Sequence, residues 1–175
     1  MKRLALILAL ALPLPAPAEE AAPKEEGPSL MERGARRIYA IDVGHGQLHE
    51  RLKGSDRVVS MEGVNAKDVT AADIPEPVDL LVSDVSFVSV TKVLAGPLAL
   101  CAPGADAVIL FKPQFEVGRR NVGKGGIVRD DAAIDTALAE VIAFMVEQGF
   151  THRLSVTSPI SGGDGNVETV LVFRR

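Results

Sequence analysis

Val78-Asp-Leu-Leu-Val-Ser-Asp84, continuing as Val85-Ser-Phe-Val-Ser89, is an apolar run that ends in a charge. Pro75 and Pro77 punctuate its start. The same plan recurs at Ala107-Val-Ile-Leu-Phe-Lys112, followed by Pro-Gln-Phe-Glu116. A near-continuous apolar run bounded by breakers reads as a strand buried on both faces. A charge at the end of such a strand is costly unless it has a partner or a use. In open α/β sheets the carboxyl edge is also where ligands bind. One acidic and one basic strand end therefore predict a site as well as a fold.

Working outward, Arg37-Ile-Tyr-Ala-Ile-Asp42 and Arg57-Val-Val-Ser-Met61 read as two further strands. Val43-Gly-His-Gly46 is a turn between them, and Gln47 to Lys53 a short helix. Ser89 to Ala102 predicts a helix with Val90, Val93, Leu94, Leu98 and Cys101 on one face, stopped by Pro103-Gly104. Asp130 or Asp131 caps a long helix that runs to about Gln148 and ends at Gly149. Thr151 to Ser158 and Val167 to Phe173 are the last strands, joined by Ser161-Gly-Gly-Asp-Gly165. Strands alternating with helices predict a mostly parallel sheet. The last two follow one another without a helix, so one of them is antiparallel.

The chain has 175 residues, 47% of them hydrophobic, with no Trp and one Tyr. That is enough for one domain with an aliphatic core. A net charge of −4 excludes a global pull toward nucleic acid and leaves only a local basic patch. Cys101 is the single cysteine. It excludes an internal disulfide and fits a reducing compartment, hence the cytoplasm.

The amino terminus points elsewhere. Met1-Lys-Arg3 is basic, Leu4 to Leu12 is apolar, and Ala16-Pro17-Ala18 is an A-x-A-like element. This has the shape of a secretory signal and is too short for a membrane span. Glu19 to Pro28, rich in Pro, Glu, Ala and Lys, reads as a disordered linker. Two readings stay open: an export signal, or a segment foreign to the domain. Either sets a boundary between residues 1–28 and a domain at 29–175.

Several segments then converge on one family. Tyr39-Ala-Ile-Asp-Val-Gly-His-Gly-Gln-Leu48, Asp84-Val-Ser-Phe-Val-Ser89 and Lys112-Pro-Gln-Phe-Glu116 are three of them. Gly123-Lys-Gly-Gly-Ile-Val-Arg-Asp130, Ser158-Pro-Ile-Ser-Gly162 and Gly165-Asn-Val-Glu168 are three more. Together, in order from about Leu30 to Arg175, they resemble the TlyA (hemolysin A) family, with its FtsJ-type RNA 2′-O-methyltransferase domain. The resemblance implies a Rossmann-like methyltransferase sheet, S-adenosylmethionine as cofactor, and ribosomal RNA or a ribosomal subunit as partner. It implies that Asp84, Lys112 and Glu168 match three members of a Lys-Asp-Lys-Glu catalytic tetrad. It implies cofactor contacts from Asp42, Val43, Asn65, Ala66 and Asp84.

The family pattern also contains elements with no match here: an S4 RNA-binding domain, the first strand with its Gly-rich cofactor loop, and the first tetrad lysine. The expectation is a fold incomplete at its amino-terminal part and an activity that needs testing. The competing expectation is an exported, non-enzymatic binding protein that keeps the fold. Leu4 to Leu12 is apolar enough to fill the first-strand slot, though without the Asp and Gly of the family pattern.

Taken residue by residue, alternatives remain. Asp84, Lys112 and Glu168 could form a structural ion pair at a sheet edge. Asp42 could be a turn-former and Asn65 an ordinary loop residue. Gly118-Arg-Arg-Asn-Val-Gly-Lys-Gly125 fits a phosphate-binding loop up to Lys124, but Gly125 stands where Ser or Thr would hold Mg²⁺. It reads better as a basic loop in which Arg119, Arg120, Lys124 and Arg129 meet RNA phosphates, or as a solvated loop. His45 and His49 lack a third ligand, so capping or surface roles are expected, not a metal site.

Overall fold

The structure, a computed structural model, describes residues 4–9 and 30–175 except 161, 163 and 164. Seven strands form one sheet: β1 Leu4–Ala9, β2 Arg37–Asp42, β3 Val58–Glu62, β4 Val78–Asp84, β5 Cys101–Phe111, β6 Thr151–Thr157 and β7 Thr169–Arg174. Their order is β3-β2-β1-β4-β5-β7-β6. The pairs from β3 through β5 are parallel, and β7 runs antiparallel to both β5 and β6. The mostly parallel sheet with one antiparallel strand is the predicted layout. The sheet also takes in Leu4–Ala9, which the sequence placed ahead of the domain. This segment lies between β2 and β4, with Leu6 level with Tyr39 on one side and Leu81 on the other. The linker expected at 19–28 and most of the Gly-rich turn at 161–165 lie outside the described residues.

One face of the sheet carries the main core. Ile41, Leu81, Ala107, Ile109, Phe111, Leu171 and Phe173 alternate along their strands and are buried. Helix α3, Asp131–Glu147, lays Ala137, Val141 and Met145 against them, at a spacing of four residues. Its start is capped by Asp130, whose carboxylate accepts from the Ala133 amide at 3.1 Å. Its end is turned by Gly149 at φ 86, a backbone region open mainly to glycine.

The helix predicted from Ser89 to Ala102 is not continuous. Val90–Lys92 is a 3₁₀ turn, α1 covers only Ala95–Ala99, and Cys101 already opens β5. Pro97 explains the break: lacking an N–H, it is tolerated only in the first turn of a helix, so the helix restarts at Ala95. Pro103-Gly104 then interrupts no helix; it lies within β5, beside a register shift against β4 between Val78 and Leu80. The helix expected over Gln47 to Lys53 is a single 3₁₀ turn, Glu50–Leu52, capped by His49.

Candidate active site

The pairing register brings the two charged strand ends together. Asp84 closes β4, and Lys112 follows β5 directly as the N-cap of α2, Pro113–Glu116. Lys112 Nζ lies 2.6 Å from Asp84 Oδ1. It also donates to Ser86 Oγ at 2.8 Å. The lysine side chain is only 11% exposed, whereas Asp84 is 58% exposed. Glu168 immediately precedes Thr169, which pairs with Phe111, so it sits level with Lys112 on the neighbouring strand. Burial raises the Glu168 carboxyl above its ordinary value; Lys112 opposes the shift and Asp84 adds to it. The three polar residues expected to converge thus share one electrostatic environment at the carboxyl edge of the sheet.

Two loops are clamped so that this arrangement holds. The Glu116 carboxylate accepts from the Val90 amide at 2.9 Å, tying the segment after Lys112 to the segment after Asp84. Burial raises the Glu116 pKa, while hydrogen bonds from Ser89 and Val90 and the charge of Lys92 pull it down. Between them, Phe87 has φ 67, a left-handed backbone that a bulky side chain seldom adopts. Its ring is 57% exposed and lies 5.2 Å from the Phe115 ring, centroid to centroid. Gly162 also touches the site: a Cβ there would stand 2.8 Å from Glu168 Oε1. Sequence reasoning gave Ser86, Phe87, Phe115 and Gly162 no role. All four lie within segments that resemble the family, but nothing in a sequence shows that a phenylalanine takes a positive φ.

Of the residues expected to hold a cofactor, Asp84 sits in this cluster, and the other four gather at the ends of β2 and β3. Asp42 ends β2, is buried, and accepts from the Gly44 amide at 2.7 Å. Its carbonyl accepts from Val64, which brings the loop after β3 beside it. In that loop Asn65 caps the 3₁₀ turn Ala66–Asp68 by accepting from Lys67, and Ala66 is buried. Val43 is exposed at the same edge. Glu62, at the end of β3, accepts from the amides of Gly46, Leu48 and Gln47, which hold its pKa below the usual carboxylate range. An apolar cavity of about 180 Å³, lined by Ile38, Ala40, Leu48, Leu52 and Val58 among others, lies under the 3₁₀ turn and away from the lysine.

The basic loop is built by backbone turns, at Arg119–Asn121 and Lys124–Gly126, and does not run from a strand into a helix. A phosphate-loop geometry is therefore absent among the described residues. Arg119, Arg120, Lys124 and Arg129 are all exposed. Asn166 anchors the loop: its Oδ1 accepts from Val128 at 2.9 Å and its Nδ2 donates to Gly126 at 3.0 Å. Asn166 is two residues from Glu168, so the basic loop and the polar cluster are both held by the short segment that leads into β7. The described residues contain no group of three His, Cys, Asp or Glu side chains suited to a metal, and no helix long and apolar enough to cross a membrane.

Known proteins resemble this chain over most of its length. Residues 29–175 match the family described as FtsJ-like methyltransferase. The chain is 42% identical over 146 residues to 16S/23S rRNA (cytidine-2′-O)-methyltransferase TlyA of Mycobacterium tuberculosis, covering 83% of this chain and 54% of that one. It is 40% identical over 145 residues to Hemolysin A of Brachyspira hyodysenteriae, covering 82% and 60%. A solved structure from Streptococcus thermophilus that carries a hemolysin name superposes with a TM-score of 0.78 at 37% identity, over 83% of this chain and 53% of that one. The chain therefore spans little more than half the length of these relatives.

Proposed function

We propose, from the premise that this chain belongs to the FtsJ-like methyltransferase family, that it methylates a ribose 2′-hydroxyl of ribosomal RNA with S-adenosylmethionine. The observation that carries this reading is the convergence of Lys112, Asp84 and Glu168 at the carboxyl edge of a parallel sheet. The name of the Mycobacterium tuberculosis relative adds the substrate class and the position of transfer. Such a substrate belongs to the cytoplasm.

The described residues fit the nucleoside half of the cofactor. Asp42 offers a buried carboxylate at the end of β2, the place where such folds hydrogen-bond ribose hydroxyls. The loop of Val64 to Ala66, tied to Asp42, provides backbone and an Asn side chain beside it. S-adenosylmethionine supplies an electrophilic methyl group. The residues of this chain do the rest. Lys112 faces the acceptor hydroxyl and takes part in moving its proton. Asp84 holds the lysine by its ion pair. Glu168, with its raised pKa, balances charge without cancelling the lysine completely.

RNA contact follows from two features. Arg119, Arg120, Lys124 and Arg129 project from the anchored loop toward solvent and suit phosphates. The exposed Phe87 ring, backed by Phe115, offers a face for an unstacked base next to Lys112.

The test is methyl transfer from labelled S-adenosylmethionine to purified ribosomal RNA and ribosomal subunits, with the modified nucleoside identified by mass spectrometry. Lys112→Met in a protein that still folds should lower the rate by about 10²–10⁴-fold, the usual contribution of a positioned acid–base group. A 2′-O-methyl product from the parent and none from the variant supports the reading. A product of unchanged yield from Lys112→Met refutes it.

A further inference from the structure

Lys112 has a second partner. Its nitrogen is held by Asp84 at 2.6 Å and by Ser86 at 2.8 Å, from one segment of two residues' separation. Ser86 is 2% exposed and cannot swing away. Its segment is fixed on both sides: Asp84 is the last residue of β4, and Val90 is bonded to Glu116. We propose that Ser86 is a positioning residue for methyl transfer, locking the rotation of the Lys112 nitrogen so that its remaining position points to the acceptor hydroxyl. The proposal rests on the reading of Lys112 given above.

A lysine nitrogen has three positions beyond Cε, related by rotation about the Cε–Nζ bond. Ser86 occupies one by accepting an N–H, and the negative charge of Asp84, 2.6 Å away, draws a second N–H and not the lone pair to its own side. One position is left. In the amine form that position is the lone pair; in the ammonium form it is the third N–H. When the acceptor oxygen bonds to the methyl carbon and the carbon–sulfur bond breaks, the hydroxyl proton passes to that lone pair. The nitrogen then carries three N–H groups, with Ser86 still accepting one and the charge of Asp84 beside another. Without Ser86 the lone pair is free to occupy either of two positions, and one of them leads away from the substrate.

The two partners are not equivalent. Asp84 acts through its charge, whereas Ser86 offers an oxygen that accepts an N–H from the amine and from the ammonium form alike. Ser86 therefore stays bonded to the lysine through a change in its protonation. Asp84, at 58% exposed, is also open to water in a way that Ser86 is not.

The experiment compares Ser86→Ala and Ser86→Thr with the parent. Ribosomal RNA is the acceptor, and NMR of ¹³C-labelled lysine follows the titration of the Lys112 Cε signal. Ser86→Ala should lower kcat by about 10–100-fold, the scale of lost orientation. It should leave the KM for RNA and the affinity for S-adenosylmethionine within about twofold, and it should displace the pH profile together with the Lys112 titration. Ser86→Thr keeps the hydroxyl and should recover most of the rate. The proposal is overturned if Ser86→Ala, with the parent's Tm, keeps kcat within about twofold and leaves the Lys112 titration unmoved. It is also overturned if a folded Ser86→Thr behaves like the alanine variant. Should the parent transfer no methyl group, the proposed function fails, and the Lys112 titration still reports whether Ser86 holds the lysine.

Discussion

Asn166→Ala is the sharpest test of how the basic loop is held. Asn166 is 3% exposed, and both ends of its side chain are used: Oδ1 accepts from the Val128 amide and Nδ2 donates to the Gly126 carbonyl. Val128 is buried, so its N–H has no ready replacement from water. Leaving one buried donor unsatisfied costs about 1–3 kcal/mol. Gly126 is only half-buried, so its carbonyl recovers water and adds about 0.5–1 kcal/mol. The sum is about 1.5–4 kcal/mol, or a drop in Tm of about 3–16 °C for a domain of this size. Asn166→Asp should be no milder near neutral pH, because it sets a carboxylate where Nδ2 now stands, 3.0 Å from a carbonyl oxygen. Scanning calorimetry gives the global loss. Trypsin gives the local one: cleavage after Lys124 and Arg129 should rise about tenfold or more as the loop opens. A loss below about 0.5 kcal/mol, with cleavage at the parent's rate, would refute the anchoring argument.

Glu116→Gln tests the buried clamp through pH. The folded-state pKa of Glu116 is raised, chiefly by burial. Its contribution to stability is therefore complete below the ordinary carboxylate range and is lost as pH rises through the raised value. Glutamine keeps the acceptor for Val90 and cannot charge. It should raise Tm by about 2–4 °C per kcal/mol gained at pH 8 and show no gain at pH 4; a pH-independent difference in calorimetry would contradict this. Gly162→Ala should push Glu168 aside, since the new Cβ would stand 2.8 Å from its Oε1. A stability loss of about 1–3 kcal/mol is expected, together with slower methyl transfer; a variant equal to the parent in both measurements would show that the contact yields freely.

Where pattern alone carries the information, the fold was legible. The apolar runs ending in Asp42, Asp84 and Lys112 are the β2 and β4 ends and the residue just past β5, because both faces of these strands carry mostly apolar side chains, one face buried and the other half-covered. Asp130 and Gly149 bounded α3 correctly, since capping is a local effect. The segment 89–102 was misread because its apolar spacing suits a helix while Pro97 dictates where one can begin. The pairing of Lys112 with Asp84 was legible as a strand-end coincidence, but its second bond to Ser86 was not. Phe87, the next residue, takes a positive φ where sequence would have asked for glycine. The anchoring of the basic loop by Asn166 spans 38 residues of chain and has no local signature.

Strand β1 has a consequence for how the two halves of the site relate. On one side of it lie β2 and β3, with Asp42 and Asn65 at their ends; on the other lie β4, β5 and β7, with Asp84, Lys112 and Glu168. Among the described residues, β1 is the strand that joins these two groups in the sheet order. It acts as a ruler: Asp42 and Asp84 are set two strand spacings apart, roughly 9–10 Å across the sheet. Because both flanking ladders are made of backbone hydrogen bonds, that span does not depend on which side chains β1 carries. Substitutions along Leu4–Ala9 would then change how firmly the two halves are joined, while the width between them stays the same.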